Sequence, residues 1–197
     1  MINNLSSRLT DKMIAKGNIT EDERELYIYG LFMLLSQIMY FFLSVIFGFL
    51  LQCFIESVIF YIAFQFIRRY AGGYHAKTET RCEIMSTLSI FACLVVIRLS
   101  KLYGFNTALF YLAIVAAISI AVFCPLDTPE KPLSGKEFKY FRKISWIILF
   151  VITVTFVISY CFRFNVLFAP CCMSLILESV LIIAGKIKRF NRKVNKH

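Results

Sequence analysis

Charged residues are scarce in this chain of 197 residues: they make up 17% of it, against 59% hydrophobic residues. Soluble domains carry about a quarter charged residues and about half apolar ones. This balance excludes a soluble globular domain, a disordered tail and a disulfide-rich secreted module. It predicts instead a protein that crosses the membrane several times.

Histidine is rare too, with two residues, and the seven cysteines are an odd number. Most of these cysteines lie inside apolar runs, where a free cysteine behaves as a small hydrophobic residue, so a disulfide framework is not expected. Structural or catalytic zinc needs three or four His, Cys or carboxylate ligands, and we predict neither a metal site nor a cofactor. Residues 1–25 lack an apolar core, so no cleavable signal peptide is expected.

Long apolar runs are what the sequence has in abundance, and they are sufficient for six transmembrane helices. Residues 26–67 contain one charge, Glu56, and are long enough for two spans. The six predicted spans are residues 26–48, 51–67, 84–100, 105–124, 144–162 and 165–185. The chain is therefore predicted to be an all-α membrane protein in which residues 19–185 form one transmembrane domain.

Lysine and arginine are distributed unevenly between the segments that connect these spans. If both termini are cytoplasmic, 19 of the 22 basic residues lie on the inner side. The three exceptions are Arg98, Lys101 and Arg163. The positive-inside rule then predicts cytoplasmic loops at residues 68–83 and 125–143 and a basic cytoplasmic tail at residues 186–197. Apolar stretches interrupt the positive charge, so its expected partners are membrane lipids and not nucleic acid.

The N-terminal segment, residues 1–18, has apolar residues at helical spacing with charged residues between them. These apolar positions are Ile2, Leu5, Leu9 and Met13. The pattern predicts an amphipathic helix on the inner leaflet, and a frayed cytoplasmic tail is the alternative. After it, Thr20 and Glu23 form a capping-box pattern that would start the helix leading into the first span.

The first cytoplasmic loop, RRYAGGYHAKTETRC, contains His75 and, seven residues later, Cys82. A thiol and an imidazole at one membrane face are the elements of a cysteine nucleophile with a histidine base, although this spacing alone is weak evidence. Thr80 and Glu83 form a second capping-box pattern, which would place Cys82 in the first turn of a helix, where a thiolate is favoured. Arg68 is either an interfacial anchor or a substrate contact.

Two segments of the chain resemble the AgrB family, the accessory gene regulator B proteins of Gram-positive peptide quorum sensing. The first loop matches the family's R-R-x-A-x-G-x-H core, with a cysteine seven residues beyond the histidine. The later segment CPLDTPEKPL resembles the family's A-P-x-x-T-x-x-K-P loop. The chain length, the six predicted spans, the amphipathic N-terminus and the basic tail also fit, so the resemblance covers nearly the whole chain.

The resemblance implies a cysteine endopeptidase of the cell membrane, with its active-site loop on the cytoplasmic side. Such a protein cleaves the C-terminal tail from an AgrD-type propeptide and joins the new carbonyl to an internal Cys or Ser, giving a thiolactone or lactone. By position, the catalytic pair is His75 and Cys82, and Arg68 and Gly73 are further motif residues. Gly72 stands where some members have a second histidine. A homodimer is expected from the family.

Further candidate residues lie in the second loop and inside the spans. Lys131 could meet an acidic propeptide tail, unless its proline-rich loop is simply a rigid turn. Gln37, Glu56 and Glu178 lie within apolar spans, where polar groups usually face protein or water. They are expected to hydrogen-bond between helices, and the alternative is that one of them lines a cleft for the peptide.

Two other classes of function compete with the peptidase. In a small transporter or channel component, Glu56 and Glu178 would be pathway residues and His75 and Cys82 incidental. Broken helices at matched positions in two halves of the chain would favour a transporter, and the sequence contains no such pair. The second competitor is a non-catalytic membrane scaffold.

Overall fold

The computed structural model of the chain describes residues 2–73, 79–126 and 134–194. Within these ranges the chain is almost entirely α-helical and has no β-strand, which confirms the all-helical fold class there. The α-helices are α1 (Ile2–Ala15), α2 (Arg24–Leu50), α3 (Phe54–Ala71), α4 (Glu79–Tyr103), α5 (Asn106–Phe123), α6 (Gly135–Cys161) and α7 (Asn165–Val194).

Five helices in the described ranges are long and apolar enough to cross a membrane, as expected of a multi-pass membrane protein. These stretches are Glu21–Leu50, Arg81–Tyr103, Asn106–Phe123, Gly135–Cys161 and Asn165–Phe190, and each coincides with a predicted span. The remaining predicted span, residues 51–67, coincides with α3. That helix has 18 residues, carries Glu56, Arg68 and Arg69, and is not among the five. Six spans and cytoplasmic termini therefore stay predictions.

The segment Met1–Leu43 is a compact unit that contains α1 and most of α2. The capping box predicted at its centre is confirmed: the Glu23 carboxylate accepts the Thr20 backbone N–H at 3.1 Å. An Arg24–Asp11 ion pair of 2.9 Å joins the start of α2 to α1. On α1 itself Leu5 is 48% exposed. A helix is thus present over Ile2–Ala15, while its amphipathic character and its position on the membrane stay predictions.

The segment Ser44–His197 is a second compact unit, built around α7. Helix α7 contacts α3, α4, α5 and α6. Its inward side chains are fully or almost fully buried, and the largest apolar ones are Phe168, Leu175 and Ile182. Glu178 lies on the same helix and is also fully buried. A polar group on this buried face of α7 therefore needs partners from the surrounding helices, since water does not reach it.

Helices α3 and α4 are joined by polar contacts where α3 begins and α4 ends. The Lys101 ammonium lies 2.6 Å from the Glu56 carboxylate, and the Arg98 guanidinium donates to the Gln52 side chain at 2.9 Å. These contacts tie the start of α3 to the end of α4.

Candidate active-site region

The predicted site residues lie in both units and in segments that the structure does not describe. His75 and Lys131 lie outside the described residues. Gln37 is part of α2 within the first unit. The other predicted site residues all lie in the second unit, and they are Arg68, Gly73, Cys82 and Glu178.

Cys82 lies at the start of α4, as its fourth residue, and its side chain is half-buried. The position in the first turn agrees with the prediction. The predicted N-cap was wrong, because α4 begins at Glu79 and Thr80 is therefore already inside the helix. Near a helix N-terminus the positive end of the helix dipole favours an anion, including a thiolate.

The remaining cysteines have different surroundings. Cys161 is exposed at the end of α6. The others are buried as predicted, and they are Cys53, Cys93, Cys124, Cys171 and Cys172. Cys82 and Cys161 are therefore the two cysteines whose side chains are not buried.

The two motif segments meet at their backbones. Leu126 donates its N–H to the Ala71 carbonyl at 2.8 Å, and Gly72 and Leu126 form a parallel β-bridge. Gly72 has a φ of +76°, and a Cβ at this position would lie 2.8 Å from the Leu126 carbonyl oxygen. Glycine is the residue that accepts both the positive φ and the close approach. The bridge thus joins the AGG of the first loop to the CPL of the second.

Arg68 and Gly73 come together beside this bridge. The Arg68 guanidinium donates to the Gly72 carbonyl at 2.9 Å. Gly73 has a φ of +143°, and a Cβ there would collide with Nη1 of Arg68. The guanidinium therefore occupies the space that any side chain at residue 73 would need. The two motif residues Arg68 and Gly73 therefore belong to one turn.

Glu178 is the partner of Arg68 on α7. Its Oε2 lies 3.9 Å from Nη1 of Arg68, whose side chain is 19% exposed, whereas that of Glu178 is fully buried. Neither carboxylate oxygen has a hydrogen-bond partner among the described residues. The sequence predicted an interhelical role or a cleft-lining role for Glu178, and the structure gives an interhelical ion pair. Glu56 likewise pairs with Lys101, at the other end of α3.

Two features of this region were missed by the sequence reasoning. Ser134 and Glu137 form a capping box at the start of α6, in which Glu137 accepts the Ser134 N–H at 2.9 Å. Its signal, Ser-x-x-Glu before an apolar run, was visible in the sequence. The Arg68–Glu178 pair had a weaker signal, namely one cation at the end of a span and one acid inside another.

Metal-ligating side chains do not cluster in the part of the chain that the structure describes. No three His, Cys, Asp or Glu side chains within it are arranged to hold a metal ion. The described residues of this region thus offer three features: a thiol at a helix start, two loops paired at their backbones, and an arginine–glutamate pair.

Comparison with known proteins places this chain in a family. The family model described as accessory gene regulator B matches residues 6–183. A putative AgrB-like protein of Clostridium perfringens is 26% identical over 174 residues, which cover 84% of this chain and 80% of that protein. The accessory gene regulator protein B of Staphylococcus aureus is 35% identical over 112 residues, covering 54% and 58%. No solved structure matches the chain at a significant level.

Proposed function

This chain belongs to the accessory gene regulator B family, and from that membership we propose that it is a membrane-embedded cysteine endopeptidase. Its substrate is an AgrD-type propeptide, from which it removes the C-terminal tail. The cleaved propeptide is then closed into a thiolactone or lactone by its own internal Cys or Ser. The catalytic pair is Cys82, as nucleophile, and His75, as base.

The observation that supports this proposal most is the backbone pairing of the two motif segments. The bridge between Gly72 and Leu126 fixes the first loop three residues before His75. The same loop ends at Cys82, half-buried in the first turn of α4. A scaffold or transporter has no need for a reachable thiol at this point of the fold.

The first chemical step is attack of the Cys82 sulfur on the scissile carbonyl. His75 takes the thiol proton and delivers it to the amine of the departing tail, so that the C–N bond breaks as the C–S bond forms. The propeptide core stays attached to Cys82 as a thioester. Backbone N–H groups at the start of α4 are the donors available to the developing oxyanion.

The second step transfers the acyl group from Cys82 to the internal nucleophile of the propeptide. The new C–S or C–O bond forms, the Cys82 thiolate leaves, and His75 carries the proton between the two groups. Exchange of one thioester for another retains most of the free energy, whereas attack by water would lose it. Holding the internal nucleophile beside the thioester is a proximity effect worth several kcal/mol.

A transporter or channel component is less well supported. Its pathway residues would be the two acids within the helices, Glu56 and Glu178. Each of them instead lies beside a cation of a neighbouring helix, Lys101 and Arg68 respectively. The two pairs lie at opposite ends of α3, which is the distribution expected of contacts that hold helices together.

The experiment that tests the proposal traps the acyl intermediate. The probe is the short propeptide that we expect to be encoded beside this gene, with its internal Cys or Ser replaced by Ala so that ring closure is blocked. A thioester on Cys82 should then accumulate, visible as a mass increase on the intact protein and removed by neutral hydroxylamine. Cleavage without any trapped adduct after rapid acid quenching would favour direct hydrolysis and contradict the acyl-transfer mechanism.

The proposal also requires the active-site loop to face the cytoplasm, with six spans and both termini inside. A cysteine introduced at Lys77 should resist a membrane-impermeant maleimide added to intact cells and react after the cells are opened. A cysteine at Tyr103, which is 76% exposed at the other end of α4, should react in intact cells. Both cysteines are introduced into a Cys161→Ser background. Labelling of residue 77 in intact cells would contradict the predicted topology.

A further inference from the structure

We propose that Glu178 is a positioning residue for the peptidase site: from α7 it holds the Arg68 guanidinium against the Gly72 carbonyl. This inference rests on the proposed function, and it assigns a role to an acid that a peptide cannot touch. The pair would set the position from which the chain continues to His75. It links the central helix of the unit to the catalytic loop.

The contacts form a continuous chain from α7 to both loops. Oε2 of Glu178 lies 3.9 Å from Nη1 of Arg68, and the same Nη1 donates to the Gly72 carbonyl at 2.9 Å. Gly72 in turn is bridged to Leu126 of the second loop. A displacement of one guanidinium therefore moves the point at which the two motif segments are joined.

The pair lies largely out of water, where attraction between a carboxylate and a guanidinium is stronger than at the surface. Removing one partner of a buried pair costs more free energy than the pair itself contributes. Arg68 is 19% exposed, so it has a route toward solvent once Glu178 no longer attracts it. The Gly72 carbonyl would then lose its side-chain donor, and the turn would lose its fixed position.

Burial distinguishes positioning from substrate binding. Glu178 is fully buried among the helices that pack on α7, so no substrate atom reaches its carboxylate in this structure. Its effect on cleavage must therefore pass through Arg68. An effect of this kind changes the rate of the bound complex and leaves substrate affinity nearly unchanged.

The test measures kcat and KM for cleavage of the propeptide by Glu178→Gln in proteoliposomes. Glutamine keeps the shape of the side chain and removes its charge. We expect kcat to fall by about 10- to 100-fold, as for an active-site group displaced by about 1 Å, while KM stays within about threefold. In an Arg68→Ala background the same substitution should have no further effect, because the carboxylate acts through the guanidinium.

The matched control is Glu56→Gln. Glu56 is also a buried acid with a lysine partner, but it lies at the opposite end of α3, so cleavage should stay within about threefold of wild type. If Glu178→Gln does not accumulate in membranes, Arg68→Lys carries the test. Lysine keeps the charge but its ammonium cannot take the position of the planar guanidinium between Gly72 and Glu178, and it should lower kcat in the same way.

Three results would overturn the inference: an unchanged kcat in Glu178→Gln, an equal loss in Glu56→Gln, or independent effects of Glu178→Gln and Arg68→Ala that multiply. Cys82→Ala, measured in parallel, separates this inference from the proposed function. If Cys82→Ala still cleaves, the peptidase proposal fails whatever Glu178 does. If it is inactive and Glu178→Gln is fully active, only the positioning role fails.

Discussion

Replacing Cys82 or His75 by alanine is expected to abolish cleavage of a co-expressed propeptide, with a loss of more than about 10³-fold for either variant. Without the thiol no acyl group can form on the protein, and without the imidazole the proposed base that takes the thiol proton is missing. The loss is measured as the missing mass shift of the propeptide after its tail should have been removed.

The control for this prediction has to show that the protein still folds and inserts. Both variants should be found in the membrane fraction at wild-type amounts, because Cys82 lies half-buried at a helix start and not inside the packed core. Cys161→Ala is the matched cysteine variant: it removes the exposed thiol at the end of α6 and should retain full cleavage. Full activity of either Cys82→Ala or His75→Ala would exclude the dyad.

Hydropathy predicted five of the helices well because each of them contains a long apolar run. The division of the first apolar stretch was also predicted near residues 48–52, and α2 ends at Leu50. There Gln52 has a φ of +55°, and Gly48 lies against Ser57 so closely that a Cβ would collide with it. The N-cap of α4 was placed wrongly at Thr80, since a local Thr-x-x-Glu pattern says nothing about the residues before it that extend the helix.

The candidate site could be predicted only in part, because its contacts join residues far apart in the chain. Residues 68, 73 and 82 were marked by local pattern. Their partners Leu126 and Glu178 come from the segments after α5 and within α7, and nothing local in the sequence pairs them with Gly72 and Arg68. Sequence reasoning marked Glu178 as unusual because it is an acid in an apolar span. Identifying Arg68 as its partner required the packing of α3 on α7.

The substitution Gly73→Ala is expected to reduce cleavage by about 100-fold, although it adds a single methyl group. The new Cβ would collide with the Arg68 guanidinium, which must leave both the Gly72 carbonyl and Glu178. The backbone at Gly73, with a φ of +143°, also disfavours alanine. The measurement is the kcat for propeptide cleavage in proteoliposomes, with the amount of inserted protein determined in parallel.

The variant Gly104→Ala distinguishes the effect of a collision with Arg68 from the effect of an unfavourable backbone φ. Gly104 also has a positive φ, +70°, but nothing lies within 4 Å of the position that its Cβ would take. It should therefore lose some stability, of the order of 1–2 kcal/mol, and keep its cleavage activity. Equal losses in Gly73→Ala and Gly104→Ala would mean that backbone strain is the cause. If displacement of the Arg68 guanidinium causes the loss of cleavage, adding Gly73→Ala to the Arg68→Ala variant should lower kcat little further. The guanidinium that the new methyl group would displace is then already absent.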